Sequence, residues 1–174
     1  LSEWLEATVH INGHIYRQTY KRGITQGPLA QIGDIDRTGL TVRFKPDAEV
    51  FEEIEFDYDT LRSRFREMAF LNRGVCIEFI DERQDKKDRF HYDGGIISFV
   101  EYLNKNREAL HAPPIFIQQE TEQASIEVAL QYNDGYVENV HSFANNINTH
   151  EGGSHLSGFR SALTRVINDY ARKN

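Results

Sequence analysis

The chain has few of the residues that bring redox chemistry to a protein: its 174 residues include one cysteine and one methionine. A single cysteine excludes an internal disulfide framework and is typical of a protein from a reducing compartment. This residue, Cys76, lies in an apolar run. We therefore expect it to be a small buried side chain and not a nucleophile.

The chain also has fewer basic than acidic residues and lacks a long apolar run. The chain carries 20 Lys and Arg residues against 27 Asp and Glu residues, a net charge of −7. This balance disfavours a free-standing domain that binds DNA or RNA. No stretch approaches the roughly 20 apolar residues of a membrane-spanning helix, and the chain does not open with the pattern of a signal peptide. We expect no membrane partner and a cytoplasmic location.

Strand and turn patterns dominate the first third of the chain. Residues 5–12 and 14–22 are rich in β-branched and aromatic residues, and Asn12-Gly13 between them is a strong signal for a hairpin. Residues 41–44 alternate between apolar and polar side chains. They predict another strand, which stops at Pro46 because proline cannot donate to a sheet.

The middle of the chain predicts a helix followed by a second hairpin. Either Asp57 or Asp59 could cap the helix, and Gly74 ends it. Its apolar face has helical spacing and consists of Leu61, Phe65, Met68 and Ala69. Residues 75–82 and 88–92 then predict the two strands of the hairpin.

The second half predicts two helices around a sheet. Gly94-Gly95 is the best domain boundary, and one helix follows it with Ile96, Phe99, Val100 and Leu103 on one face. Strands are expected at 115–119, 125–132 and 137–144, with residues 133–135 as the hairpin turn between the last two. A final helix, with the stripe Leu156, Phe159, Leu163, Val166 and Tyr170, is expected to cover this sheet. Because strands and helices do not alternate regularly, the fold class is α+β.

Short motifs along the whole chain occur in the order of one known family. They are Tyr16-Arg-Gln, Pro28-Leu, Thr38-Gly39, Phe44-Lys-Pro, Phe70-Leu-Asn, His91-Tyr-Asp-Gly-Gly, Phe99-Val-Glu-Tyr-Leu-Asn, Asn133-Asp-Gly, Glu151-Gly-Gly-Ser-His and Ala162-Leu-Thr-Arg. The chain resembles the ATPase subunit of bacterial type IIA DNA topoisomerases. The B subunit of DNA gyrase is the better match, and the topoisomerase IV B subunit is the alternative within the family. The chain starts at Leu1, in the middle of the pattern, so we expect an internal fragment of that protein.

The resemblance implies a fold and a division into domains. Residues 1–95 look like the C-terminal part of a GHKL-type ATPase sandwich. Residues 96–174 look like the first part of a transducer domain with a fold similar to that of ribosomal protein S5. An alternative from another class is a non-enzymatic binding module that reuses this S5-like fold, for instance for RNA.

The resemblance also implies the activity of a longer parent protein. That parent would use ATP and Mg²⁺ to drive the passage of one DNA duplex through another. Its partners would be DNA, a second copy in a dimeric ATPase clamp, and the gyrase A protein in a heterotetramer. In the family the water-activating glutamate, the Mg²⁺ ligand, the phosphate lid and the transducer lysine lie outside the matched segment. We therefore expect no catalytic residue here, no tightly bound cofactor and no ATP hydrolysis by this chain alone.

Four residues are expected to line what remains of the nucleotide pocket. Thr38, Gly39 and Leu40 match a family motif that ends in a second threonine near adenine, where the hydroxyl helps to hold a water molecule. Leucine cannot make that contact, and a register shift that used Thr41 would turn its side chain to the other face. Ile11 matches a position at the pocket mouth that commonly carries a basic residue and contacts aminocoumarin inhibitors.

Two further features favour structural interpretations. The motif from His150 to His155 lacks the additional ligands of a zinc site, so we expect no metal there and a tight turn that leads into the last helix. The last helix carries several basic residues that could approach DNA, namely Arg160, Arg165, Arg172 and Lys173. A solvated helix face with favourable charge at its C-terminus is the stronger expectation.

Overall fold

The structure, a computed structural model, describes residues 1–173. The chain divides into two compact units, one of which is Leu1–Asp57 while the other begins at Tyr58. This division precedes the predicted boundary at residue 95. The assignment of residues 1–95 and 96–174 to two domains stays a prediction.

The first unit is a single antiparallel sheet. Its strands are β1 (Ser2–Ile11), β2 (His14–Lys21), β3 (Ile24–Thr25), β4 (Ala30–Asp34) and β5 (Gly39–Pro46). β1 pairs with β2 and β5, and β2 also pairs with β3 and β4. The predicted hairpin at Asn12-Gly13 is confirmed, and both residues have the positive φ angles, 52° and 81°, that a tight two-residue turn requires.

The two faces of this sheet differ in polarity. In the register of β1 and β5, Leu5 lies opposite Phe44, Ala7 opposite Val42 and Val9 opposite Leu40. These pairs share one face because side chains alternate along a strand. On this face Leu40, Val42 and Phe44 are exposed by 66%, 49% and 51%. The other face is charged, and there Glu6 lies 3.9 Å from Arg17 and 4.0 Å from Arg43. The first unit therefore presents a bare apolar sheet face.

The second unit combines helices and short hairpins. Its elements are α1 (Tyr58–Leu71), β6 (Cys76–Asp81), β7 (Lys86–His91), α2 (Ile96–Asn104), β8 (Ile115–Glu120), β9 (Ser125–Leu130), β10 (Phe143–Ala144), β11 (Ile147–Asn148) and α3 (Ser154–Lys173). α1 packs on the β6–β7 hairpin and on α2, and α2 packs on β9. The predictions of α1, α2 and the β6–β7 hairpin are confirmed.

The core of the second unit is a cluster of aromatic rings around Phe70. This side chain is 1% exposed, and its ring stacks on Tyr92 at 3.6 Å and on Phe99 at 5.1 Å between centroids. Ala69 is buried as predicted, but Met68 is 45% exposed. The buried face of the helix is therefore shifted towards Phe70 relative to the predicted apolar face, because the Phe70 ring stacks on both Tyr92 and Phe99.

The predicted hairpin at residues 133–135 is wrong. The backbone of this segment instead bonds to the stretch that follows α2: Leu110 donates to the carbonyl of Tyr132, and Asp134 donates to that of Glu108. Of the strand predicted at 137–144, only Phe143–Ala144 is a strand, and it pairs with Ile147–Asn148. Asn133 is held by side-chain bonds that the turn signal does not encode, including one to Asn104 at 2.8 Å.

The final helix does not cover a sheet as predicted. No residue of α3 is buried, and in the predicted stripe Val166 and Tyr170 are exposed by 61% and 69%. Since the strand at 137–144 does not form, the broad sheet that this helix was expected to cover is missing from the described residues.

The prediction that Cys76 is buried is also wrong. Cys76 is exposed, because the alternation along β6 turns Ile77 and Phe79 inwards and Cys76 outwards. Arg89 Nε donates a hydrogen bond to its Sγ at 3.1 Å.

Candidate functional site

The predicted pocket residues come together at one end of the sheet of the first unit. Gly39 opens β5 opposite His10, and Leu40 lies opposite Val9. Ile11 ends β1, two residues after Val9, so its side chain shares the face of Val9 and Leu40. Thr38 directly precedes the strand. Sequence reasoning therefore selected residues that are neighbours in space.

Thr41 does not replace the missing threonine. It lies opposite Thr8, on the face of the sheet opposite that of Leu40. The expectation that a one-residue slip would turn this side chain away agrees with the register of the strand.

The pocket end of this face is apolar and open. Ile11 is 46% exposed and Leu40 66% exposed. A Cβ atom added to Gly39 would meet His10 Nδ1 at 3.6 Å, an ordinary contact, so neighbouring atoms do not demand glycine there. Aliphatic side chains of this kind can pack against a flat ring but cannot hydrogen-bond to it. The chemistry available from Ile11 and Leu40 is therefore packing.

A polar group that sequence reasoning missed lies beside Ile11. His14 is the cross-strand partner of Ile11, and Asp34 is the partner of His14 on β4. His14 Nδ1 lies 2.6 Å from Asp34 Oδ1, and the side-chain amide nitrogen of Gln31 lies 3.4 Å from the same carboxylate oxygen. The hairpin signal at Asn12-Gly13 already implied that His14 faces Ile11, and this was the sequence clue available.

A second polar arrangement lies in the other unit, between α1 and the β10–β11 hairpin. Three side-chain hydrogen bonds connect them, from Arg64 to His150 at 3.2 Å, from Asn148 to Glu67 at 3.1 Å and from Asn146 to Asn72 at 2.9 Å. Because the residue numbers rise on one side and fall on the other, the bonds form an antiparallel series. We call these six residues the polar ladder.

The polar ladder borders an open cavity of about 520 Å³. The cavity is lined by Asp59, Thr60, Ser63, Arg64, Glu67, His141, Asn148 and His150. Arg64 is also paired with Glu67 at 2.9 Å, so its charge is compensated within the helix. The guanidinium can only donate, and His150 Nε2 therefore accepts, which requires a neutral imidazole with its proton on Nδ1.

The motif from His150 to His155 forms a turn. Gly152 has a φ angle of 81°, and its N–H donates to the carbonyl of Thr149 at 2.8 Å. The carbonyl of Gly153 accepts the bond from Ser157 that opens α3. His155 faces Thr149 Oγ1 at 3.4 Å, whereas His150 faces Arg64. In residues 1–173, no group of three or more His, Cys, Asp or Glu side chains could hold a metal ion.

In the second unit, the carboxylates with shifted pKa values accept hydrogen bonds that stabilise the fold. Asp88 accepts hydrogen bonds from Tyr58 Oη and from Arg62 Nε, and both bonds lower the pKa of Asp88. The bond to Asp88 also raises the pKa of Tyr58. The side chain of Arg83 lowers the pKa of Asp81 to about 2. Both carboxylates are ionised and paired at neutral pH, so neither is suited to proton transfer.

Known proteins resemble the chain over nearly all of its length. The DNA gyrase B protein of Clostridium acetobutylicum is 57% identical over 174 residues, which are 99% of this chain and 27% of that protein. Its counterpart from Halalkalibacterium halodurans is 55% identical and covers 100% of this chain, with 28% of its own length matched. The family model for DNA gyrase B matches residues 95–174.

The chain belongs to the DNA gyrase B family. It spans about a quarter of the length of these relatives.

Solved structures of this family share the fold. The 43K ATPase domain of Thermus thermophilus gyrase B, in complex with an aminocoumarin, superposes with a TM-score of 0.86 at 36% identity. The match covers 99% of this chain and 48% of that one. The B-subunit of the Myxococcus xanthus gyrase gives a TM-score of 0.86 at 28% identity, over 94% of this chain and 48% of that one. The predicted α+β fold class is confirmed. None of the helices within residues 1–173 is long and apolar enough to cross a membrane.

Proposed function

We propose that the chain is part of the ATP-binding and transducer region of an ATP-dependent type II DNA topoisomerase of the gyrase type. In this role it couples ATP binding and hydrolysis to DNA strand passage and negative supercoiling. The observation that carries the proposal is the 57% identity to a DNA gyrase B protein across 99% of the chain.

We further propose that residues 1–95 belong to the GHKL-type ATPase domain and residues 96–174 to the S5-like transducer. The start of the family match at residue 95 supports this boundary. The polar ladder then connects α1, in the ATPase part, with the β10–β11 hairpin, in the transducer part. Two of its three bonds are exposed and the one between Asn148 and Glu67 is part-buried. Side-chain bonds of this kind can open and close without unfolding either element.

The nucleotide site that we propose uses the bare sheet face of the first unit. Leu40 and Val42, with exposed aliphatic side chains in one row, would pack against the flat base of ATP. ATP supplies a phosphoanhydride bond whose hydrolysis is coupled to movement of the transducer. The described residues offer no cluster suited to Mg²⁺. We therefore assign them to binding the base and excluding water from it.

The partners proposed for the parent protein are DNA, a second ATPase chain in a dimeric clamp, and the gyrase A protein in a heterotetramer. The relatives' names support gyrase over topoisomerase IV and over a non-enzymatic S5-like module. With bacterial chromosomal DNA as the substrate, we propose a cytoplasmic location.

The proposal is tested with the full-length protein and its gyrase A partner. We expect ATP-dependent negative supercoiling of relaxed plasmid DNA, whereas residues 1–174 alone release no phosphate from ATP. Decatenation without supercoiling would favour a topoisomerase IV, and RNA retention on filters without either activity would favour the binding module. Phosphate release by the purified short chain would contradict the proposal that the catalytic groups of the ATPase lie outside residues 1–174.

A further inference from the structure

We infer that His111 is a pH-sensitive clamp in the second unit. It holds residues 130–135 against residues 108–113 while its imidazole is neutral, and it releases them when the imidazole is protonated. The inference goes beyond the proposed function and does not rest on it, because every contact that carries it lies within the second unit.

The two segments that the clamp joins are paired through their backbones. The N–H of Leu110 donates to the carbonyl of Tyr132 at 2.9 Å, and the N–H of Asp134 donates to the carbonyl of Glu108 at 3.0 Å. This pairing brings the ring of His111 beside that of Tyr132, with 5.9 Å between the ring centroids. The imidazole therefore lies at the junction of the two segments.

Both ring nitrogens of His111 have partners whose roles are fixed. The backbone N–H of Tyr132 can only donate, so His111 Nε2 accepts this bond at 3.1 Å. The carbonyl oxygen of Pro113 can only accept, so its contact with His111 Nδ1 at 3.2 Å places a proton on that nitrogen. One form of the ring satisfies both contacts, namely the neutral imidazole with its proton on Nδ1.

Protonation of this ring removes the bond to Tyr132. A second proton would go to Nε2, where the N–H of His111 and the N–H of Tyr132 would then face each other as two donors. The clamped form therefore binds fewer protons than the released form, and a lower pH favours release. Because imidazoles change charge between about pH 5 and 8, the clamp responds near neutrality.

The charged groups near His111 do not pair with its imidazole. Those on or next to the two segments are Lys105, Arg107, Glu108 and Asp134. Lys105 Nζ lies over the ring of Tyr102 at 4.6 Å, and Asp134 Oδ1 accepts a bond from the backbone N–H of Glu108 at 3.2 Å. Within residues 1–173, none of the four has an ion pair or a side-chain hydrogen bond with the imidazole. Ordinary carboxylates titrate near about pH 4, below the range in which the clamp is tested.

His91 is the opposite case in the same unit. Its Nδ1 lies 3.3 Å from the carbonyl oxygen of Val75, and its Nε2 lies 3.2 Å from Asp93 Oδ1. Both partners accept, so a proton on each ring nitrogen is favourable. A lower pH should therefore strengthen the contacts of His91 and weaken those of His111.

Hydrogen exchange of the full-length protein, measured from about pH 7.5 down to about pH 5.5, tests the clamp. Rates are converted to protection factors, which removes the effect of pH on the exchange chemistry itself. We expect the protection of the Leu110 and Tyr132 amides to fall about two- to tenfold over this range, the effect of one neutral hydrogen bond. The β6–β7 hairpin, which contains His91, should not show this fall.

Three variants sharpen the test. His111→Gln keeps an oxygen that can accept from Tyr132 but does not titrate, so its protection should not fall with pH. His111→Phe has no acceptor, and its protection at Tyr132 should be low at both ends of the range. His91→Gln is the matched control and should keep the fall seen in the wild type.

The outcomes decide the inference without bearing on the proposed function. Constant protection of the two segments in the wild type overturns it, and so do equal falls in the wild type and His111→Gln. A fall that the β6–β7 hairpin shares would be general unfolding and would also overturn it. If His111→Gln does not fold, the wild type and His91→Gln decide. A fall confined to the two segments in both supports the clamp, whereas loss of the fall in His91→Gln contradicts it.

Discussion

The two units of the chain use apolar side chains in opposite ways. The unit that begins at Tyr58 gathers its aromatic rings around Phe70 and is held together by contacts among α1, α2 and the β6–β7 hairpin. The unit Leu1–Asp57 leaves Leu40, Val42 and Phe44 exposed on a sheet face. The first arrangement stabilises a fold, whereas the second offers a surface. We propose that this surface holds the base of ATP.

The largest effect expected from this comparison is on stability. Phe70→Ala should lower the free energy of unfolding of the second unit by about 3–5 kcal/mol, because it empties the centre of the ring cluster. Phe44→Ala removes the same ring from a half-exposed position in the first unit and should cost well under half as much. Urea denaturation followed by near-ultraviolet circular dichroism measures both. Similar losses from the two variants would remove the distinction between core and surface.

The next effect concerns ligand affinity at the pocket mouth. Ile11→Arg should strengthen aminocoumarin binding by the full-length protein roughly ten- to a hundredfold, since a charge-assisted hydrogen bond contributes about 1.5–3 kcal/mol. Leu40→Thr restores only a hydroxyl for a water-mediated contact and should strengthen binding less. Calorimetry on the wild type and the two variants decides it. A wild type that binds as tightly as Ile11→Arg would remove the argument.

The β1–β2 hairpin was predictable from sequence because its local signal is strong. Asn12-Gly13 encodes its turn in two residues, and the β1–β2 register follows from it. The prediction of a strand at 137–144 was wrong because long-range contacts override the local signal there. Asn133 and Tyr132 bond to residues more than twenty positions earlier in the chain. The same local pattern can thus serve a hairpin or a long-range contact.

The missed parts of the candidate sites are those that depend on tertiary contacts. His14 and Asp34 are twenty residues apart and meet only because β4 returns to pair with β2. The polar ladder joins residues more than seventy positions apart. Neither arrangement leaves a periodic signal in the sequence.

A smaller effect is expected in the polar ladder. In a double-mutant cycle of Glu67→Ala and Asn148→Ala, the coupling energy should be about 1 kcal/mol, as for a partly exposed hydrogen bond to a carboxylate. The cycle is measured as unfolding free energies of the second unit. The pair Arg160 and Glu138, exposed by 52% and 69%, is a control in which we expect less coupling. Equal coupling in both cycles would argue against a special role for the ladder.

The smallest effect is a dependence of stability on acid. The pKa of Asp81, about 2 in the folded chain, lies below the value of about 3.9 for an unfolded aspartate. The folded state therefore binds fewer protons, and its stability falls as the pH drops from about 5 towards 2. Arg83→Met should flatten this fall, whereas Lys87→Met, at an exposed 3.5 Å pair with Glu78, should not. Unfolding midpoints measured across this pH range report both, and parallel profiles for wild type and Arg83→Met would be inconsistent with the assignment.

The central claim is that the bare sheet face of the first unit is the wall of a nucleotide pocket. Hydrogen exchange of the full-length protein, with and without a non-hydrolysable ATP analogue, tests it most directly. We expect the analogue to slow backbone exchange in the β1 and β5 segments that contain Val9, Ile11 and Leu40, where the ligand restricts opening of the sheet. Protection that appears only after residue 57, with these two strands unchanged, would contradict the account.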